Sequence, residues 1–254
     1  MKINKVKEKL QGGGVAVGAL LPFFAPTAVE ILGYAGCDFV TFDAEHGPIS
    51  ALEIESMTRA ADCVGVTPFA RVESNAPSAI LRIMDVGVLG VQIPHIITRE
   101  DALSAVQAVK YYPLGSRGLA GSVRAAKYTS MASQDYVKMS NQNSMVIIQI
   151  EDVASLTHLH EILAVEGVDA VFIGQNDLSN SMGFSGETGH AEVQKVVDKI
   201  CTATLDSGRV VAVSTDVKNS RHWIDRGAKF ISLSFVPTML KSWSSIMDEV
   251  KSYG

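Results

Sequence analysis

MVIIQIEDVASLTHLHEILAVEGVDAVFIGQNDLSNSMG, residues 145–183, holds the pattern from which the rest of the chain is read. MVIIQIE is a short apolar run closed by a carboxylate, and VDAVFIG is a second apolar run ending in glycine. Between them Val153, Leu156, Leu159, Ile162 and Leu163 recur at three- and four-residue spacing, which predicts a helix over 152–163. Two buried-type strands joined by one helix lie parallel, with a right-handed crossover. Parallel strands end on the same edge of their sheet, so Glu151 and Asp177 come to one rim. Two carboxylates one crossover apart can share a hard divalent cation through oxygen. Each also has a plainer role, Glu151 as a cap of the following helix and Asp177 as an N-cap within 175–179. Gln149 crowds the same rim, and that rim is where parallel α/β sheets place their ligands.

Outward from this unit the alternation repeats. Strands are expected at 14–21, in 38–48, at 67–72 and 88–95, then at 145–151, 168–174, 209–215 and 228–235. Helices are expected at 2–11, 26–36, 49–65, 76–87, 98–111, 152–163, 191–208, 216–227 and 237–253. The longer excursion over 111–142 has loop character early and helical character later. Eight strands alternating with helices predict a (β/α)₈ TIM barrel, a single domain spanning 1–254. An open doubly wound sheet is the rival, but it often carries a glycine-rich turn after strand one. Here the three glycines at 12–14 precede that strand, and no GxxxxGK[ST] occurs.

Composition narrows the class. Hydrophobic residues at 47% against 19% charged describe a well-buried globule rather than a disordered chain. A net charge of −5 with no evident basic face argues against a nucleic-acid partner. Cys37, Cys63 and Cys201 are odd in number, widely spaced and without a CxxC, as expected of reduced thiols in a cytoplasm. Lys2, Lys5, Lys7 and Lys9 before the uncharged run 12–29 imitate a signal peptide. Three glycines, Pro22 and Pro26 make that run a poor export signal and exclude a membrane span.

The C-terminal rim of such a barrel can be written out. Strand two ends in Asp43, Ala44, Glu45 and His46; strand three offers Arg71, strand four His95, strand five Gln149 and Glu151, and strand six leads into Asp177. His46 is a candidate general base or a turn histidine. Arg71 inside an apolar strand needs a partner or an anion. Asp43 and Glu45 can bond neighbouring loops, His95 beside Pro94 reads as structural, and Asp85 closes the helix after strand three. The combination suits metal-assisted chemistry on a small anionic substrate. Arg117 and Arg124, in the long excursion, can clasp an anion or seal a subunit contact. Strands five to seven contain no lysine, and Lys229 lies at the start of strand eight, on the opposite rim. Schiff-base aldolases need a lysine near a strand's end, so imine chemistry is not expected.

FDAEHGP at 42–48, PFARV at 68–72, IMDVGVLGVQIP at 83–94, YYPLGSRG at 111–118, QIED at 149–152 and EGVDAVFIGQNDLSNSMG at 166–183 occur in order. With them the chain resembles the HpcH/HpaI family of metal-dependent, pyruvate-forming (class II) aldolases over nearly its whole length. The resemblance implies a TIM barrel whose last helix is commonly exchanged between subunits of a homohexamer. It implies that Glu151 and Asp177 hold Mg²⁺, Mn²⁺ or Co²⁺, that His46 is the general base made more basic by Asp85, and that Arg71 stabilises the enolate oxygen. Gln149, with the backbone around Gly174, Asn176 and Asp177, would bind the 2-oxo acid. The implied reaction is reversible cleavage of a 4-hydroxy-2-oxo acid to pyruvate and an aldehyde. A lyase or synthase acting on oxaloacetate or a CoA thioester, and a non-catalytic 2-oxo acid binding barrel, are the alternatives. The sequence departs from the family at GQND, where GPxD is usual, at Val236, where an aspartate is often found, and in the loop LLPFFAP after strand one.

Overall fold

The computed structural model of the chain describes residues 3–253, and in it eight parallel strands close into a barrel in sequence order. They are β1 (Ala16–Leu21), β2 (Phe39–Asp43), β3 (Thr67–Arg71), β4 (Gly90–Ile93), β5 (Met145–Ile150), β6 (Ala170–Ile173), β7 (Val210–Thr215) and β8 (Ala228–Ser234), with β8 pairing back on β1. Each lies within the run that marks it in the sequence, as the alternation predicts. Ahead of the barrel, α1 (Lys5–Gln11) contributes Val6 and Leu10 to the cluster that fills the N-terminal half of the interior.

The helices after β1 to β4 are α2 (Pro26–Tyr34), α3 (Ala51–Val64), α4 (Pro77–Asp85) and α5 (Arg99–Val109). Their starts are set locally. Proline opens α2 and α4, where a missing N–H costs nothing, and reciprocal Ser50–Glu53 and Thr98–Asp101 boxes cap α3 and α5. The remaining helices are α6 (Ser133–Asn143), α7 (Leu159–Leu163), α8 (Gln175–Ser181), α9 (Ala191–Asp206), α10 (Val217–Asp225) and α11 (Phe235–Lys251).

Two local expectations need correction. The helix expected over 152–163 is a 3₁₀ turn, Val153–Thr157, followed by the short α7. Asp152 accepts the N–H of Ala154, and the Ser155 hydroxyl donates to the Asp152 carbonyl, so side chains compete with the first helical bonds. The segment 175–179, read as a turn, is the start of α8. Its N-cap is Gly174, not Asp177, and Asp152 rather than Glu151 caps the turn after β5.

Period-two alternation then decides what the barrel holds. Phe39 of β2 stacks on Phe230 of β8 with centroids 4.0 Å apart, and Phe69 of β3 stands edge-on to both. Gly18 of β1 makes room for this layer, since a Cβ there would lie 2.2 Å from the Phe39 carbonyl oxygen. Two residues further along each strand the interior turns polar. Thr41, Gln92, Gln149 and Ser232 are buried there, followed by Asp43, Arg71 and Glu151 at the C-terminal rim. Outward-facing Val40, Phe42, Val91 and Ile148 pack instead against the helix layer.

The last helix is the exception to this burial. Val236, Met239, Leu240, Trp243, Ile246, Met247 and Val250 of α11 are all exposed, and α11 has no buried residue. Among the described residues no helix is long and apolar enough to cross a membrane.

Candidate active site

Asp43 and Arg71 are direct partners in the β2–β3 ladder, and both side chains point to the rim. Arg71 donates through Nε to Asp43 Oδ1 at 2.8 Å and through a terminal nitrogen to Oδ2 at 2.7 Å. Its other terminal nitrogen lies 3.0 Å from Glu45 Oε2. Asp43 Oδ1 also accepts the backbone N–H groups of Glu45 and His46, which folds the EHG turn over the rim. Burial pushes the Asp43 carboxyl upward, but the hydrogen bond and charge of Arg71 outweigh it and hold it below the usual carboxylate range. Glu45 moves the other way: burial raises it, Arg71 opposes, and the neighbouring Glu151 adds to the rise.

Glu151 is buried one residue past β5, and each of its carboxylate oxygens accepts a hydrogen bond. The His95 backbone N–H donates to its Oε1 at 2.8 Å, and the Gln149 side-chain amide donates to Oε2. Gln92 of β4 in turn donates to Gln149 of the neighbouring β5, so a chain of two amides leads along the inner wall to the carboxylate. His95 has φ of 59°, a left-handed conformation sparsely used by residues with a side chain. That backbone geometry aims its N–H at Glu151 and leaves its ring Nδ1 3.2 Å from Oε1, with Nε2 3.6 Å from Glu45 Oε1.

One ligand atom each from Glu45, His95 and Glu151 lies within 4.8 Å of the others. Oxygen and imidazole donors at this spacing suit a small divalent cation. Glu45 Oε2 is buried and accepts no hydrogen bond, although the Arg71 charge is close. Asp177, the third residue of α8, is exposed, and its carboxylate has no hydrogen bond or ion pair among the described residues. Because Ile150 pairs with Ile173, Glu151 and α8 leave neighbouring strand ends. The donors present therefore fit a hard cation at this rim.

The other expected residues fall as follows. His46 is exposed on the turn held by Asp43. The N–H of Gly174 is committed to the Ile150 carbonyl, so this glycine acts by leaving space, while the N–H groups that open α8 are free of intrahelical partners. Asp85 pairs with Arg117 at 2.5 Å rather than with His46 in this chain, and the guanidinium is buried 4.8 Å over the Tyr111 ring. Arg124 donates to Asp62 and to the Val86 carbonyl, so both arginines of the excursion tie it to its own barrel. Lys229 is the second residue of β8, at the N-terminal end as expected.

Glu45 and His95 join the cluster, although the sequence offered only loop bonding for one and a structural role for the other. The alternation Phe39, Thr41, Asp43 was the available signal for Glu45. Nothing in the residues around Pro94 signals the left-handed backbone of His95.

A profile of the HpcH/HpaI aldolase/citrate lyase family matches residues 17–241. A 5-keto-4-deoxy-D-glucarate aldolase from Escherichia fergusonii is 32% identical over 231 residues, covering 91% of this chain and 90% of that protein. The crystal structure of a HpcH/HpaI aldolase/citrate lyase family protein from Burkholderia cenocepacia J2315 superposes with a TM-score of 0.93 at 30% identity, covering 98% of this chain and 99% of the other. The citrate synthase SbnG superposes with a TM-score of 0.88 at 27% identity, covering 98% of each chain.

Proposed function

Because the chain belongs to the HpcH/HpaI aldolase/citrate lyase family and is a carbon–carbon lyase of the class II aldolase type, we propose that it cleaves a 4-hydroxy-2-oxo acid reversibly into pyruvate and an aldehyde. The observation that carries this proposal is the buried Asp43–Arg71–Glu45 group set against Glu151 on the C-terminal rim.

Glu151 and Asp177 would hold a divalent cation (Mg²⁺, Mn²⁺ or Co²⁺), which when bound polarises the keto group and offsets charge on the enolate. Gln149 and the free N–H groups around Asn176 and Asp177 orient the 2-oxo acid, with Gly174 leaving room beside them. His46 takes the proton of the 4-hydroxyl as the C3–C4 bond breaks. The aldehyde departs, the bonding electrons stay on C3 as the pyruvate enolate, and a proton then returns to C3. Arg71 is fixed by both oxygens of Asp43, so its charge faces the enolate oxygen without reorganising during the reaction. Asp85 would assist His46 only by leaving Arg117, its partner here, and the cleavage rate of Asp85→Asn against that of His46→Ala tests that role.

Exchange of the pyruvate methyl protons for deuterium, followed with added Mn²⁺ and after EDTA, tests the enolate half directly. Metal-dependent exchange is expected. Its absence would leave a non-catalytic 2-oxo acid binding barrel. The likeness to SbnG favours one second reading, a synthase acting on oxaloacetate and a CoA thioester. Citrate formation from oxaloacetate and acetyl-CoA, assayed beside pyruvate release, separates the two.

The assembly we propose is a homohexamer of single-domain subunits, each spanning 1–254, in which α11 is exchanged. Supporting it, α11 carries seven exposed large apolar residues with no core of its own chain to cover them. Three free thiols accord with a cytoplasmic setting.

A further inference from the structure

We propose that the aldehyde half of the substrate is uncharged and apolar, and that Phe23 and Phe24 form the wall that selects it. This inference rests on the aldolase function proposed above and concerns the part of the substrate which that function leaves open.

The wall is placed by a close approach. Gly47, next to His46, has no space for a side chain: a Cβ would lie 2.3 Å from the Pro22 carbonyl oxygen. The loop after β1 therefore rests on the EHG turn that carries His46, the proposed base, and Phe23 and Phe24 follow Pro22 directly in that loop. Phe23 meets Phe235 edge-on, with centroids 5.6 Å apart, and so bridges the ends of β1 and β8. Phe23 is nevertheless 38% exposed and Phe24 47% exposed. Adjacent aromatic rings left open at an active-site mouth gain from covering by an apolar group.

Charge points the same way. The next inward side chains around the rim are Ser214 and Ser234, whose hydroxyls bond each other at 3.1 Å. Residues 22–25, 214–217 and 234–239 contain no lysine or arginine; Lys218 follows on α10, preceded by Asp216. Arg71 is already engaged by Asp43 and Glu45. Four carboxylates, Asp43, Glu45, Glu151 and Asp177, offset one guanidinium and a divalent cation, so the rim has no surplus positive charge. The carboxylate on the pyruvyl end of the substrate consumes what attraction exists. A second carboxylate at the far end would meet phenyl rings and a negative field, with no lysine or arginine in those three segments to receive it.

The experiment is condensation of pyruvate with pentanal or with succinic semialdehyde, using the Mn²⁺-loaded enzyme. Each kcat/KM is divided by the pyruvate methyl exchange rate of the same preparation. Pentanal should be preferred by about tenfold or more, the scale on which a pocket discriminates by a few apolar atoms and an unpaired charge. In Phe23→Lys and Phe24→Lys the preference should shrink or reverse toward the semialdehyde. Exchange with equal or better use of succinic semialdehyde overturns the inference and leaves the enolate chemistry standing. A pentanal preference that survives both substitutions also overturns it, because the selecting wall is then elsewhere. Loss of both exchange and condensation in the wild-type protein overturns the aldolase function itself, and the inference with it.

Discussion

Gly174 sits so close to Glu151 that a Cβ built on it would stand 2.6 Å from Glu151 Cβ and 2.9 Å from Oε2. Its φ of −81° is open to any residue, so the glycine is required by its neighbour and not by its backbone. Gly174→Ala should push the Glu151 carboxylate off the rim and weaken Mn²⁺ binding by about tenfold or more, the scale seen when support for a metal ligand is lost. Calorimetric titration with Mn²⁺ reads this, with thermal melting as the check on folding. Unchanged affinity would remove Glu151 from the ligand set.

Arg71→Lys keeps a positive charge but cannot reproduce the two parallel bonds to Asp43. Turnover of a 4-hydroxy-2-oxo acid should fall by about 10²–10³, as for loss of one oriented donor to a developing oxyanion. Stability should suffer less than in Arg71→Ala, which strands two buried carboxylates. Steady-state kinetics and urea unfolding on the pair of variants separate positioning from charge.

Asp43 is held below the usual carboxylate range, burial being outweighed by Arg71. A carboxyl depressed in the folded state stabilises the fold above its unfolded pKa. That contribution is lost as pH falls from the usual carboxylate range through the lower folded value. Asp43→Asn should therefore flatten the acid limb of the stability curve, measured by urea unfolding between about pH 7 and 3. An acid limb as steep as in the wild type would contradict the assignment.

His46 is exposed and is not in the group of potential cation ligands formed by Glu45, His95 and Glu151. His46→Ala should reduce aldol cleavage by about 10²–10⁴ while leaving Mn²⁺ affinity intact. Full metal binding together with an unchanged cleavage rate would rule it out as the base.

Lys110, at the end of α5, is buried, and desolvation lowers its pKa from 10.5 to about 8, with Asp169 opposing and Lys7 adding. Its ammonium donates to the Asn141 and Ser144 carbonyls and to the Ser144 hydroxyl, tying α5 to the end of α6. For a base depressed by folding, the unfolded chain binds more protons between the two pKa values, so stability rises with pH across that window. The charged form costs about 3 kcal/mol below the folded value, relieved as pH climbs from about 8 to 10.5. Lys110→Met should abolish this alkaline rise, seen as the difference between wild-type and variant melting curves over the window.

Residues 145–183 and the repeats around them were enough to name the barrel, because strand and helix periods are properties of neighbours in sequence. The same period of two carried Asp43, Arg71, Gln149 and Glu151 to one end of the interior, and all four lie buried there. What escaped local pattern is whatever depends on distances across the closed barrel. Glu45 and His95 come from loops on different strands, and they meet Glu151 only because closure sets β2, β4 and β5 around one mouth and His95 turns left-handed. Asp85 likewise met Arg117, thirty-two residues away, instead of His46. A loop side chain takes its partner from where the strand ends stand in space, and that separation is fixed only once the eighth strand has paired with the first.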